Sequence, residues 1–540
     1  MHTAQAKSLL FMLFIATAGC FNAQKSHDHD HHHHGAHDET HPQISEVSTG
    51  SLSVIAGQDL TLTVSTTNAT LGEDVMYHVY LNDTDTSPVG MGMQETSSVL
   101  IPLDTPAGTY KLIVRLHDMA DHKALQPEVK SSVEIKIQQA PMAWFFSSDS
   151  ATNSWNISLV APAERPQLIT ELQVDSLSLL SGDDSDGGNG KGPSWGDVIL
   201  SPKGDRVFAN AKNVNKVAVF DINSRSLEAV LDVGERPVHL WNPNHINEIW
   251  THADGPGEFY VINPETLTVS DPVLAALDET GGHGKLLYSA ELGTSYYATN
   301  TNNPGVFPIE GETHAVSEMI TLCDAPCSDD PETEEDEALL TCGSTHDKAY
   351  NPALGYAIFQ CSGATRGNYA FLDTATDTLV QDLVPIAGSI THSAGNEYIL
   401  VIDAGAESNQ VNIWDTKATE HNGIDFDASL TIDGEPSARG TQFRMNRGGQ
   451  WEAWIPQTAG NAVAVLNLET YGVEMIEVGT LTKPEGARHF SRRAMLGGDW
   501  LFTYNDAGVV MINLETREVT QGPAITGSVS RIVFASSEEG

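Results

Sequence analysis

Positive charge is what this sequence has least of. Its 540 residues carry 28 Lys and Arg against 72 Asp and Glu, a formal net charge of −44. Phosphate binding needs clustered cations, so the composition speaks against any nucleic-acid partner. The acidic residues are spread along the chain. They give a solubilising surface and a field that draws divalent cations, weakly in salt. Long apolar runs are also missing. The only one, Leu9 to Ala18, is too short to remain as a membrane-spanning helix. Nucleophile–base arrangements, a G-x-S-x-G elbow, a P-loop and a dinucleotide fingerprint are all absent, so the chain is not expected to be an enzyme. Cysteine is scarce, with five in all.

The apolar run explains one of those cysteines. Residues 1–20, "MHTAQAKSLLFMLFIATAGC", have a basic residue, an apolar stretch and small residues before Cys20. This is a secretory signal. Its "TAGC" ending resembles a bacterial lipobox, which implies acylation of Cys20 and a lipid anchor. Phe21 in the next position resembles outer-membrane sorting, facing the periplasm. The four remaining cysteines suit two disulfides in an exported chain. Three pairings are open; proximity favours Cys323–Cys327 and Cys342–Cys361.

Residues 21–47 read as a flexible tail and linker. Within them, "HDHDHHHHGAHDETH" places eight imidazoles, His27, His29, His31, His32, His33, His34, His37 and His41, among four acids. Such a stretch cannot bury an apolar face and is expected to hold metal ions weakly. Residues 48–138 alternate apolar and polar residues between turn signals and predict an Ig-like β-sandwich. That domain also carries His78, His117 and His122, with Met91 and Met93, a softer set that would suit Cu(I) but reads more readily as scattered surface histidines and core methionines.

From residue 143 to 540 the sequence repeats. "VAVFDINSRSLEAVL", "FYVINPETLTVS", "YAFLDTATDTLV", "VAVLNLETYGVEMI" and "VVMINLETREVT" each join two strands through an Asp or Asn turn. A second marker, a strand start, recurs at Asp197, His239, His283, His346, His392, Thr441, His489 and Val529, at intervals of 42, 44, 63, 46, 49, 48 and 40. Units of that length predict a β-propeller. The last start, "SVSRIVFA", has no outer strands after it. The segment from 143 has outer strands with no start before it. Together they would close an eighth blade; a seven-bladed ring is the alternative. The fold expected is therefore all-β, a propeller preceded by a small sandwich.

Five starts carry histidine. Equivalent positions of innermost strands lie at one level around a propeller axis, so His239, His283, His346, His392 and His489 are expected to converge as metal ligands. His252 on an adjacent strand is expected nearby. Asp347 and Asp197 could add a carboxylate. Imidazoles suit zinc, copper, nickel or iron. "SGDDSDGGNGKG" (181–192) lacks the closing glutamate of a calcium loop, and "PETEEDE" reads as a solvated acidic insertion.

"GERPVHLW", "GGHGKLL" and "CGSTHDKAYNPALGYAIFQC" make the chain similar to the propeller-type periplasmic zinc metallochaperones that serve ABC zinc importers. The match falls on His239, His283, His346, Cys342 and Cys361, and spans roughly residues 143–535. The resemblance implies Zn2+ as cargo, a zinc-importer solute-binding protein as partner, and a mobile His-rich segment that passes the metal on. The lipobox and the sandwich depart from that family. Two other functions stay open on the residues alone: a copper- or other metal-dependent propeller enzyme, and an adhesion or scaffold protein with structural histidines.

Overall fold

The computed structural model describes residues 41–149, 152–162, 167–173, 193–243, 246–274, 283–288, 292, 295–300, 305–322, 344–362, 368–385, 388–403, 409–417, 426–458, 460–483 and 491–536. Strands dominate these residues; the helical elements among them are three short 3-10 turns, Lys212–Val214, Ala394–Asn396 and Ala438–Gly440.

Eight sheets make the propeller. Blade 1 consists of Met142–Asp149, Ser154–Ala161 and Gln167–Gln173, completed by the C-terminal strand Ser528–Ala535. That strand runs antiparallel to Met142–Asp149. The ring is thus closed by both ends of the repeat region, as the unpaired "SVSRIVFA" start required. Blades 2 to 8 begin with Trp195–Leu200, Pro237–Trp241, Gly284–Leu287, Ser344–Asn351, Ser389–His392, Gln442–Met445 and Met495–Gly497, and each continues outward strand by strand.

The repeated turn has a local cause. Asn263, Asp373, Asn467 and Asn513 each accept two backbone N–H bonds from the residues two and three positions on. These side chains replace backbone partners in a tight turn. Each turn then places a non-glycine residue in the left-handed region: Leu267, Asp377, Tyr471 and Arg517, with Arg225 at the matching place in blade 2. The strands between turns bury both faces, as blades packed between neighbours must. Trp144, Trp250 and Trp454 are fully buried; each such side chain stabilises the fold by about 1.5–3 kcal/mol relative to exposure.

The sandwich pairs a three-stranded sheet, Gln43–Thr49, Asp59–Thr67 and Thr96–Leu100, with a five-stranded one. Its first strand begins at Gln43, inside the 21–47 stretch assigned to the tail. Ile44 and Val47 pack against the core, but two apolar residues interrupted by a bulge between Ile44 and Glu46 leave little alternation to read. The sandwich is not an independent bead. Its buried Leu62, Val79, Leu112 and Ile137 belong to one apolar cluster with Trp144, Trp195 and Phe220 of the propeller. Arg225, at a blade 2 turn, donates to the carbonyls of Asp104 (3.0 Å) and Thr105 (3.5 Å) across that junction.

Candidate functional site

The strand starts that repeat in sequence are the innermost strands. Four of them are irregular where the marker falls. The register shifts between Trp195 and Val198, between Pro237 and His239, between Thr345 and Lys348, and between Val529 and Arg531. A bulge re-aims a side chain without ending the pairing. Asp197, His239, Asp347 and Arg531 sit at or inside these irregular steps.

A chain of polar contacts links blades 1 to 4. Arg531 of blade 1 donates through Nε to Oδ1 of Asp197 in blade 2 at 2.9 Å, and its Nη2 bonds the same oxygen. The other oxygen, Oδ2, lies 2.7 Å from Nδ1 of His239 in blade 3. Nε2 of His239 lies 3.0 Å from Nε2 of His283, at the start of blade 4. Nδ1 of His283 lies 2.7 Å from Oδ2 of Asp254. Oδ1 of Asp254 lies 3.0 Å from Nδ1 of His252.

The carboxylates decide the tautomers. A carboxylate only accepts, so the Nδ1 atoms of His239 and His283 carry their protons toward Asp197 and Asp254. In neutral rings both Nε2 atoms are then lone pairs, and they face each other at 3.0 Å. That arrangement repels unless a positive species lies between them. Neutrality is favoured for His239: burial, then the charge of Lys285, holds its pKa well below the ordinary value despite Asp197. Burial would raise the two carboxyls. For Asp197, Arg531 and then His239 overcome it; for Asp254, hydrogen bonds to His252 and His283 do. Both stay well below the usual carboxylate range.

Two imidazoles with outward lone pairs and carboxylates behind them form a familiar metal-ligand arrangement. Two nitrogens on one tetrahedral zinc would stand about 3.3 Å apart. The pair needs to open by only a few tenths of an ångström. Among the described residues no group of three or more His, Cys, Asp or Glu converges as a complete metal site.

The other expected ligands are distributed as follows. His346 lies on the innermost strand of blade 5. His489 lies outside the described residues. His392 is exposed at the end of its strand, with Nδ1 3.2 Å from the carbonyl of Ser393. His252 is 1% exposed and stands opposite His239 in register. It is linked to the pair by sharing Asp254 with His283, and its Nδ1 also lies 3.2 Å from the Gly284 N–H. Gly284 presses against it: a Cβ there would fall 2.4 Å from His252 Nε2. The "HG" step is therefore a packing requirement. Asp347 lies 4.0 Å from the ammonium of Lys285.

His41 is exposed, and its carbonyl accepts a bond from the Asn68 amide at 3.2 Å. His27, His29, His31, His32, His33, His34 and His37 lie outside the described residues, as do Cys20, Cys323, Cys327 and Cys342 and the stretches 181–192 and 331–337. Cys361 is buried and disulfide-bonded. In the sandwich His78 stacks on His117 with ring centroids 3.9 Å apart, and Met91 stands opposite His78.

Asp254 was not anticipated. Its place at the end of a second strand falls outside the repeated phase, although "THADG" set it two residues from His252. The cations were missed as well. A cavity of about 760 Å³ at the axis is lined by Lys212, Arg236, Lys285, Arg439, Arg493 and Arg531 beside the His239–His283 pair.

Fold and site together define a closed eight-bladed β-propeller with a carboxylate-backed histidine pair at its axis. No family model matches the chain, and no curated protein is significantly similar in sequence. Among solved structures it is similar to the dihydro-heme d1 dehydrogenase NirN in complex with DHE, with a TM-score of 0.50 and 12% identity over 72% of this chain and 74% of that one. It is also similar to apo AztD from Citrobacter koseri, at 0.49 and 11% over 74% and 99%. The β-propeller domain of Myceliophteria thermophila Cps50 (Swd1) gives 0.40 and 10% over 61% and 98%. At these identities the likeness is one of fold.

Proposed function

We propose that this chain is a zinc-carrying transfer protein, exported and tethered through Cys20. Zinc is its cargo, held by His239 and His283, with His346 from the next blade as third ligand. One observation carries the reading: the two Nε2 lone pairs face each other at 3.0 Å while both Nδ1 atoms are held by carboxylates. A divalent ion of the imidazole-seeking class satisfies that geometry. Zinc is preferred because the ligands are neutral nitrogen donors in a site that needs no redox change.

The tail would supply the ion. Its histidines bind without fixed geometry, and ordering the chain around an ion costs about 1–2 kcal/mol per residue fixed. It therefore captures ions weakly and releases them fast. Tethering would present them to the axial pair at an effective concentration on the order of millimolar. The receiver we propose is the solute-binding protein of a zinc importer, and no catalytic role is assigned. The test is elemental analysis of the exported chain prepared without a metal column. Zinc in stoichiometric amount supports the reading; copper with an EPR signal would replace it with a copper-dependent one; no retained metal would make the histidines structural.

A further inference from the structure

The axial cavity contradicts the rest of the molecule electrostatically. The chain has 28 Lys and Arg in 540 residues and a net charge of −44. Yet Lys212, Arg236, Lys285, Arg439, Arg493 and Arg531 line one cavity, against two carboxylates, Asp197 and Asp254. Both carboxylates are already engaged by His239, Arg531, His252 and His283. The side chains of Lys212, Arg236 and Arg439 have no carboxylate partner among the described residues. Arg493 donates through Nη1 to the carbonyl of Arg439, a neutral acceptor.

Clustered cations in a walled cavity repel one another, and burial adds to the cost of their charge. Burial, then the charge of Arg531, lowers the pKa of Lys212 and brings that of Arg493 down to about 9. Arg439 and Arg493 belong to blades 7 and 8, on the other side of an eight-membered ring from His239 and His283 in blades 3 and 4. The cavity, about 760 Å³, is far larger than a bare metal ion and falls in the range of small-molecule sites. Guanidinium forks match the planar oxygens of carboxylates and the oxygens of phosphate.

We propose that this cavity is an oxyanion site: it takes a small molecule with two or more carboxylate or phosphate oxygens, gripped by Arg439 and Arg493, with Lys212 lining the same cavity. The anion supplies the charge that the cavity lacks. The proposal does not require the zinc reading. Where that reading holds, the anion also offsets the charge of the arriving ion, so the two ligands favour each other's binding.

The experiment is calorimetric titration of the full exported chain, stripped of metal with a chelator and dialysed, at about 0.1 M ionic strength where exposed charges are screened. Inorganic phosphate and succinate are titrated separately. At least one should bind saturably at one site per chain, and which one does so assigns the class. Arg439→Gln, at an exposed residue with no carboxylate partner among those described, should weaken it at least threefold. Arg439→Gln with Arg493→Gln should weaken it at least tenfold. His239→Ala with His283→Ala should keep anion binding while losing zinc, which separates this site from the metal reading. Absence of saturable binding by both probes overturns the proposal, as does equal binding by wild type and a folded Arg439→Gln chain.

Discussion

Removing Asp254 should weaken metal binding and folding by separable amounts. Both of its oxygens are used, Oδ2 at 2.7 Å from His283 Nδ1 and Oδ1 at 3.0 Å from His252 Nδ1. Loss of the carboxylate behind a ligating histidine typically costs about 10–100-fold in metal affinity, which is about 1.4–2.7 kcal/mol. Asp254→Ala should therefore shift zinc affinity by that factor in a chelator competition. The same change removes a charged hydrogen bond from His252, which is 1% exposed, and leaves its Nδ1 with the Gly284 N–H at 3.2 Å. Loss of a hydrogen bond to a charged group costs about 1.5–3 kcal/mol, to be seen in denaturant unfolding of the metal-free protein. Asp254→Asn separates the two effects. It keeps the volume and one acceptor but turns a donor toward the other imidazole. Zinc affinity should fall nearly as far as in the alanine variant, with a smaller loss of stability. If both variants bind zinc within twofold of the wild type, Asp254 does not orient a ligand.

Three further outcomes follow from packing and charge. Gly284→Ala would place a Cβ 2.4 Å from His252 Nε2; overpacking of this kind costs about 1–3 kcal/mol, so unfolding should shift by that amount, and an unchanged midpoint would show that His252 moves freely. Arg225→Ala removes the bonds to Asp104 and Thr105 and should destabilise the sandwich–propeller junction by about 1.5–3 kcal/mol, the usual worth of a charged hydrogen bond; proteolysis between residues 138 and 142 that is no faster than in wild type would contradict this. Burial, then the charges of His117 and His122, holds His78 below its ordinary pKa of 6.5. The fold thus prefers neutral His78, and that stability is complete above about pH 6.5 and is lost as the pH falls through 6.5 toward the folded value. His78→Gln should flatten the acid-side loss of melting temperature, and parallel curves for both proteins would refute it.

What could be read from the sequence is what repeats. The Asp or Asn turn recurs because the same side-chain bonds close outer hairpins in blade after blade, and the strand starts recur because, among the described residues, each lies on or next to an innermost strand. Those two signals carried the blade count and the closing strand, and they placed His239 and His283 among five histidines expected to converge, of which only these two are seen to meet among the described residues. What stayed hidden does not repeat. Asp254 is a single residue just past the end of a second strand. The bulges that turn Asp197 and His239 toward the axis leave no mark in periodicity. The cations stood in view in "ERPVH", "HGK", "SARG", "FSRR" and "SVSR", but a net charge averaged over the chain concealed their convergence. The opening strand at Gln43 was invisible because two apolar residues cannot show a period.

The central claim is that His239 and His283 hold one zinc at the axis. Its most direct test is the zinc remaining in the full exported chain after dialysis against a chelator strong enough to strip the tail, compared between wild type and His239→Ala with His283→Ala. One tightly held zinc per wild-type chain is expected, and none in a variant that still unfolds cooperatively. Equal zinc in both proteins, or none in either, would contradict it.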